Sequence, residues 1–150
     1  KTKIDLSPLT EGFSALRALK VGGNQLTDTH LASVSNLQNL QAMTFRTLGF
    51  TKFTDAGLAS LVKLANLQEL RINGSTQVTD AGIVHLAGLS KLEKLDLGRT
   101  GISSGSVTAL VKLPALKELE VVGSRFGPDG IAQLRKLNPK VKVTLHRPLY

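Results

Sequence analysis

The sequence predicts an α/β solenoid: a right-handed, curved stack of short units, with parallel β-strands on its concave face and short helices on its convex face. Two observations predict it. An apolar motif, L-x-x-L-x-x-L-x-L, starts at Phe13, Leu37, Leu64, Leu89, Leu113 and Leu137, at spacings of 24, 27, 25, 24 and 24 residues. Within each unit the apolar period then switches from two to three, as it does where a strand gives way to a helix. One such unit cannot bury its own leucines, so neighbours must stack into a shared core.

The elements follow in order. Before Phe13 the pattern shrinks to Ile4-Asp5-Leu6-Ser7-Pro8-Leu9. This reads as a shortened N-terminal unit over 1–12, with Ile4 and Leu6 in an edge strand and Pro8 helping the turn. Five full copies follow, ending in Leu19-x-Val21, Met43-x-Phe45, Leu70-x-Ile72, Leu95-x-Leu97 and Leu119-x-Val121. A worn sixth runs from Leu137 through Lys140 and Val143 to Leu145. In Leu70-Arg71-Ile72 two apolar side chains face inward and Arg71 outward, the pattern of a strand with one buried side. Between Asp80 and Leu89 every third residue is apolar, which gives a short helix with one inward stripe. Asp28, Asp55, Asp80 and Asp129 stand at the helix starts, where a short carboxylate can cap free amides and meet the positive end of the dipole. Lys63, Lys91, Lys112, Arg135 and Lys136 lie at or just past the helix ends. Val141–Leu145 is expected as the last strand, with Lys142 discouraging edge-to-edge pairing.

One unit is longer than the rest. Between Phe45 and Phe53 it carries three more residues than most equivalents. Insertions in solenoids loop out at one edge, often the binding one, which makes Phe50 a candidate exposed aromatic. The plainer reading tucks Leu48 and Phe50 back into the core.

Composition fits one repeat domain over 1–150. Aromatics are scarce (Phe 5, Tyr 1, Trp 0), so leucine and its branched relatives must supply the packing. The chain does not begin with methionine, and its one methionine is Met43, which suggests an excised domain or a processed product. No stretch approaches the roughly 18 apolar residues that a membrane span needs. With no cysteine there is no disulfide framework, zinc–thiolate site or thiol nucleophile, and the compartment stays open. The net charge of +8 has two readings, general solubility or attraction to a polyanion. The second rests on the C-terminal third, where Lys112, Lys117, Arg125, Arg135, Lys136, Lys140, Lys142 and Arg147 face only Glu118, Glu120 and Asp129.

The run Val78-Thr79-Asp80-Ala81-Gly82-Ile83, continuing through Leu86, Leu89, Leu92, Leu95 and Leu97, resembles the leucine-rich repeats of the cysteine-containing type in their cysteine-free bacterial form. The resemblance covers roughly residues 10–145. It departs at Ser103-Ser104-Gly105, which replaces Thr-Asp-x-Gly, and at Thr29 and His30, where alanine and glycine are usual. Members of that family serve as protein-binding modules, including substrate-recognition parts of ubiquitin-ligase adaptors and secreted bacterial effectors. The resemblance therefore implies an interaction module with no enzyme activity of its own, and leaves the partner open.

Stacking brings the outward strand residues into columns. The middle one is Lys20, Thr44, Arg71, Asp96, Glu120, Thr144. Ala18, Ala42, Glu69, Lys94, Glu118 and Lys142 precede it, and Gly22, Arg46, Asn73, Gly98, Val122 and His146 follow. Candidate binding residues are Lys20, Thr44, Arg46, Glu69, Arg71, Asn73, Lys94, Asp96, Glu118 and Glu120, with Phe50 on the insertion. Signs alternate, Glu69 beside Lys94 and Arg71 beside Asp96, and Asp96, Glu120 and Glu118 form an acidic spot suited to a basic side chain. No aromatic in these columns could stack a base and no phosphate track is visible, which argues against nucleic acid.

Other chemistry finds little footing. His30, His85 and His146 fall in different units and should not converge on a metal. No HExxH, GxGxxG or P-loop pattern occurs, and Gly22-Gly23-Asn24 matches a repeat turn with no lysine to reach a phosphate. Asn73-Gly74-Ser75 is a weak glycosylation sequon. Asp96, Glu118 and Glu120 raise a paired-carboxylate hydrolase only remotely, since an open sheet promises no cleft. The expectation is a protein- or peptide-binding scaffold without catalytic residues, cofactor or metal. Further repeats or a partner would cover its uncapped ends. A polyanion binder acting through the basic C-terminal third is the alternative.

Overall fold

Six short strands pair in chain order into one parallel sheet: β1 (Ala18–Gly22), β2 (Ala42–Arg46), β3 (Glu69–Arg71), β4 (Lys94–Asp96), β5 (Glu118–Glu120) and β6 (Lys142–Thr144). The computed structural model describes residues 12–23, 26–46 and 51–145. The expected edge strand at Ile4 and Leu6, Leu48 and Phe50 of the insertion, and His146 lie outside these residues, as does the side chain of Arg46. Leu19, Met43, Leu70, Leu95, Leu119 and Val143 stand in one register row. The four inner members are buried and the two at the ends are half-buried, because each end member has a described neighbour on one side only. Phe45 and Phe53 close the base of the insertion edge to face, with ring centroids 4.8 Å apart.

A helix packs behind the strands in each unit: α1 (Asp28–Val34), α2 (Asp55–Ala59), α3 (Asp80–Ile83), α4 (Val107–Leu110) and α5 (Gly127–Leu137). Three of them are not purely α-helical. α2 tightens into a 3₁₀ turn at Ser60–Lys63, α3 does so at Val84–Gly88, and α4 is entered through another at Ser104–Ser106. The apolar spacing explains this: a 3₁₀ helix has three residues per turn, so residues three apart eclipse on one side. Leu58, Leu61 and Leu64, like Ile83, Leu86 and Leu89, are all fully buried. α5 keeps α geometry, in which successive residues turn by about 100°. Ile131 and Leu134 therefore face inward while Leu137 rotates off the stripe and is 61% exposed. The sixth copy thus lacks the core position expected at Leu137, and Val141 is buried instead. Phe13, the first expected core position, is 47% exposed.

The helix-start aspartates do something the sequence reading assigned elsewhere. Thr27, Thr54, Thr79 and Ser103 are N-cap residues, and Asp28, Asp55 and Asp80 each reach forward to the next unit, whereas Asp129 lies in the first turn of α5. Asp28 accepts from the Thr54 amide at 2.9 Å and its hydroxyl at 2.6 Å. Asp55 accepts from the same two groups of Thr79, both at 2.7 Å. Asp80 accepts from the Ser103 amide at 2.7 Å and hydroxyl at 2.5 Å, and also from the Ser106 hydroxyl. This clasp accounts for the glycine in Thr-Asp-x-Gly. A Cβ on Gly57 would overlap the Asp28 carboxylate, and one on Gly82 would overlap that of Asp55. Ser106 fills the same slot in the next unit and turns the close approach into a hydrogen bond. In the first described helix His30 fills it, and its Nδ1 accepts from the Thr27 amide at 3.0 Å.

Gly82→Ala should therefore cost about 1–3 kcal/mol, as overpacking does, and the cost should shrink in an Asp55→Ala background; urea unfolding of the four variants in the cycle measures both. Burial alone would raise the Asp80 pKa, but hydrogen bonds from Ser103 and Ser106, with the charge of Arg125, outweigh it and hold the group below its ordinary value. A depressed folded pKa stabilises above the unfolded value and loses that contribution as pH falls through the folded one. Asp80→Asn should thus be less stable than wild type at pH 7 by about 1.5–3 kcal/mol. The gap should close below about pH 4; a pH-independent gap would disprove the ionised clasp.

Candidate functional site

Strand alternation sends Leu70, Leu95 and Leu119 into the core and turns the residues on either side of each toward the concave face. The expected columns form. Lys20, Thr44, Arg71, Asp96, Glu120 and Thr144 are successive register partners, as are Glu69, Lys94, Glu118 and Lys142. Adjacent strands lie about 4.8 Å apart, so side chains along a column are within contact distance. A shallow depression lies over β3 to β6, bordered by Arg71, Lys94, Asp96, Glu118, Glu120 and Lys142. A second, over β1 to β4, is floored by Ala18 and Ala42 and edged by Arg17, Gln41, Gln68 and Glu93.

The ion pairs run differently from the column reading. Arg71 Nε donates to Glu69 of its own strand at 2.6 Å and not to the facing Asp96. Lys94 pairs with Glu118 at 3.3 Å rather than with Glu69. Asp96 has the shorter reach, and its carboxylate turns back to accept from the Gly98 amide at 2.9 Å. That bond helps hold Asp96 6% exposed, although it sits on the outward side of the strand. The hydrogen bond that Arg71 donates to Glu69, together with the charges of Glu69, Asp96 and Glu120, outweighs partial burial and holds the Arg71 pKa above its ordinary value. The guanidinium therefore stays charged at the centre of an acidic ring.

The remaining candidates divide. Lys20 is exposed, Thr44 half-buried, and Arg46 enters the site only through its backbone register with Gly22. Asn73 is half-buried, and its amide lies so close over Gly98 that a Cβ there would overlap it. His30 sits in α1 and His85 in the 3₁₀ turn after α3. Among the described residues, no three histidine, aspartate or glutamate side chains are arranged to hold a metal ion. No described helix is long and apolar enough to cross a membrane. The basic C-terminal third disperses. Lys117 pairs with Glu93 at 2.9 Å, Arg125 donates to the Gly101 carbonyl at 3.3 Å, Arg135 and Lys136 end α5, and Lys142 joins the concave face.

Sequence reasoning placed Gly98 in an outward column but missed its bond to Asp96, and it passed over Arg99; both residues follow β4. Gly98 could have been found as the one turn glycine preceded two residues earlier by a strand aspartate. Arg99 could have been found as the arginine that stands where other units carry Gly23, Gly74 and Gly123.

No protein-family model matches the sequence, and no curated protein does. Among solved structures the chain is similar to a leucine-rich-repeat protein of Leptospira interrogans, with a TM-score of 0.66 and 23% identity over 89% of this chain. It is also similar to an internalin of Listeria monocytogenes, with a TM-score of 0.50 and 21% identity over 93% of this chain. It spans 32% of the length of the first and 50% of the second. At that identity the likeness speaks for the fold alone. Parallel strands stacked in register, with short helices behind them, give this chain a leucine-rich-repeat solenoid fold.

Proposed function

We propose that residues 1–150 act as one protein- or peptide-binding scaffold, with the concave strand face as the contact surface. The observation that carries this reading is the charge balance of that face. In the first two columns Lys20, Arg71, Lys94 and Lys142 stand against Glu69, Asp96, Glu118 and Glu120, so these columns balance in a chain of net charge +8. A neutral surface of alternating fixed charges discriminates by arrangement and not by bulk attraction, which suits a partner of defined sequence. The depression around Arg71 and Glu120 offers such a partner a centre. The resemblance of the repeat to leucine-rich repeats that serve as protein-binding modules supports the same role.

A polyanion binder has weaker support, since the C-terminal basic residues point to several sides. The hydrolase reading has less, because Glu118 is engaged by Lys94 and Asp96 by the Gly98 amide on an open face. No catalytic residue is proposed.

The test selects peptides from a random display library on the immobilised protein. Peptides so selected should bind Arg71→Ala/Glu120→Ala about tenfold or more weakly, as loss of central charged contacts does. They should bind Lys112→Ala/Arg135→Ala/Lys136→Ala as they bind wild type, and change little between low and moderate salt. The reverse pattern, with a steep salt dependence, would replace this reading by the polyanion one.

A further inference from the structure

Among the described residues four turns carry the chain off the end of a strand, and in three of them a glycine takes a positive φ: Gly23 at 152°, Gly74 at 84° and Gly123 at 74°. In the turn after β4 the residue corresponding to Gly74 and Gly123 is Arg99, with φ of 53°. It is the one described non-glycine residue with positive φ. An L-residue there brings Cβ close to the neighbouring carbonyl, a strain that glycine avoids. Such strain persists only where the surrounding structure over-determines it, and it clusters at ligand contacts and other functional sites.

Nothing within the described fold rewards it. The Arg99 amide donates to the Val122 carbonyl at 2.7 Å, a bond that glycine would make equally well. Among the described residues its guanidinium has no hydrogen bond or ion pair, whereas Arg71, Lys94 and Lys117 are each paired with a glutamate. Its stem lies along Gly123: a Cβ on that glycine would come within 3.1 Å of the Arg99 Cγ. Gly123 therefore leaves the lane in which the exposed side chain rests. Arg99 lies in the turn that leaves β4, three residues past Asp96, which borders the depression.

We propose that Arg99 is a specificity-determining contact, which receives a carboxylate side chain of the protein or peptide held on the concave face. The proposal rests on the binding role given above and adds the chemistry of one partner group. Arg71 is already ringed by Glu69, Asp96 and Glu120, whereas Arg99 is exposed and has no acidic partner among the described residues. A planar fork of donors meets a carboxylate in two parallel bonds, which fixes orientation as well as charge.

The experiment uses the display-selected peptides on wild type, Arg99→Gly and Arg99→Ala. The peptides should carry a recurrent Asp or Glu. Both variants should bind them about tenfold more weakly, in line with the loss of a charge-assisted hydrogen bond. Changing that acid to its amide should weaken binding to wild type by a similar factor and to Arg99→Gly by less than about twofold, because the interaction is already gone. Arg99→Gly should also need more urea to unfold than Arg99→Ala, which keeps the strained Cβ and loses the guanidinium. Peptides that lose affinity for Arg71→Ala/Glu120→Ala but bind Arg99→Gly as they bind wild type would overturn the Arg99 assignment and leave the concave-face reading standing. A library that returns no peptide for wild type would overturn both.

Discussion

Each unit of this solenoid has one apolar side and no means of covering it alone. The leucines of one unit are buried only when the next lies about 4.8 Å along the stack, at the distance a parallel ladder imposes. Everything else depends on that constraint. It sets the common register of Met43, Leu70, Leu95 and Leu119, and it places every outward side chain in a column with its counterparts. The described row is buried where a strand has neighbours on both sides and only half-buried at its two ends, Leu19 and Val143.

The sheet sets the spacing on one side of the stack, and the aspartate clasp sets it on the other. A carboxylate that accepts both the amide and the hydroxyl of the next N-cap residue ties the two helices at one separation. That separation is so tight that the residue beside the carboxylate must be glycine or must bond to it. The departures from Thr-Asp-x-Gly follow from this. Ser106 is tolerated because its hydroxyl bonds to Asp80, and Ser104 carries no carboxylate to extend the series. Among the described residues the clasp therefore runs through three rungs, from Asp28 to Ser103.

A rigid stack of this kind offers its concave face as a fixed pattern. The side chains there gain little from one another, since exposed ion pairs such as Lys94 with Glu118 contribute about 0–1 kcal/mol. Their identities are thus free of the core's demands and open to selection by a partner. Asp96 is the partial exception, being buried and bonded to the Gly98 amide. Arg99 is the opposite case, a residue with a positive φ whose stem rests along Gly123 and whose guanidinium has no hydrogen bond or ion pair among the described residues.

Sequence alone determined the solenoid, the strand positions and the columns, because all three follow from apolar periodicity and from a repeat length that varies little. The spacing of three in Leu58, Leu61 and Leu64 even held the 3₁₀ turns, although it reads first as an ordinary helix. Only the tertiary structure decided the rest. The reach of Asp28, Asp55 and Asp80 into the next unit depends on a neighbour 23 to 26 residues away, which no local capping rule contains. The pairing of Arg71 with Glu69 and the inward turn of Asp96 depend on side-chain length and on a nearby amide, which register does not specify. Leu137 leaves the core because α5 keeps α geometry to its end, and Arg99 takes a positive φ because the turn demands it. Periodicity reports which face a residue belongs to; only three-dimensional contact reports what it touches there.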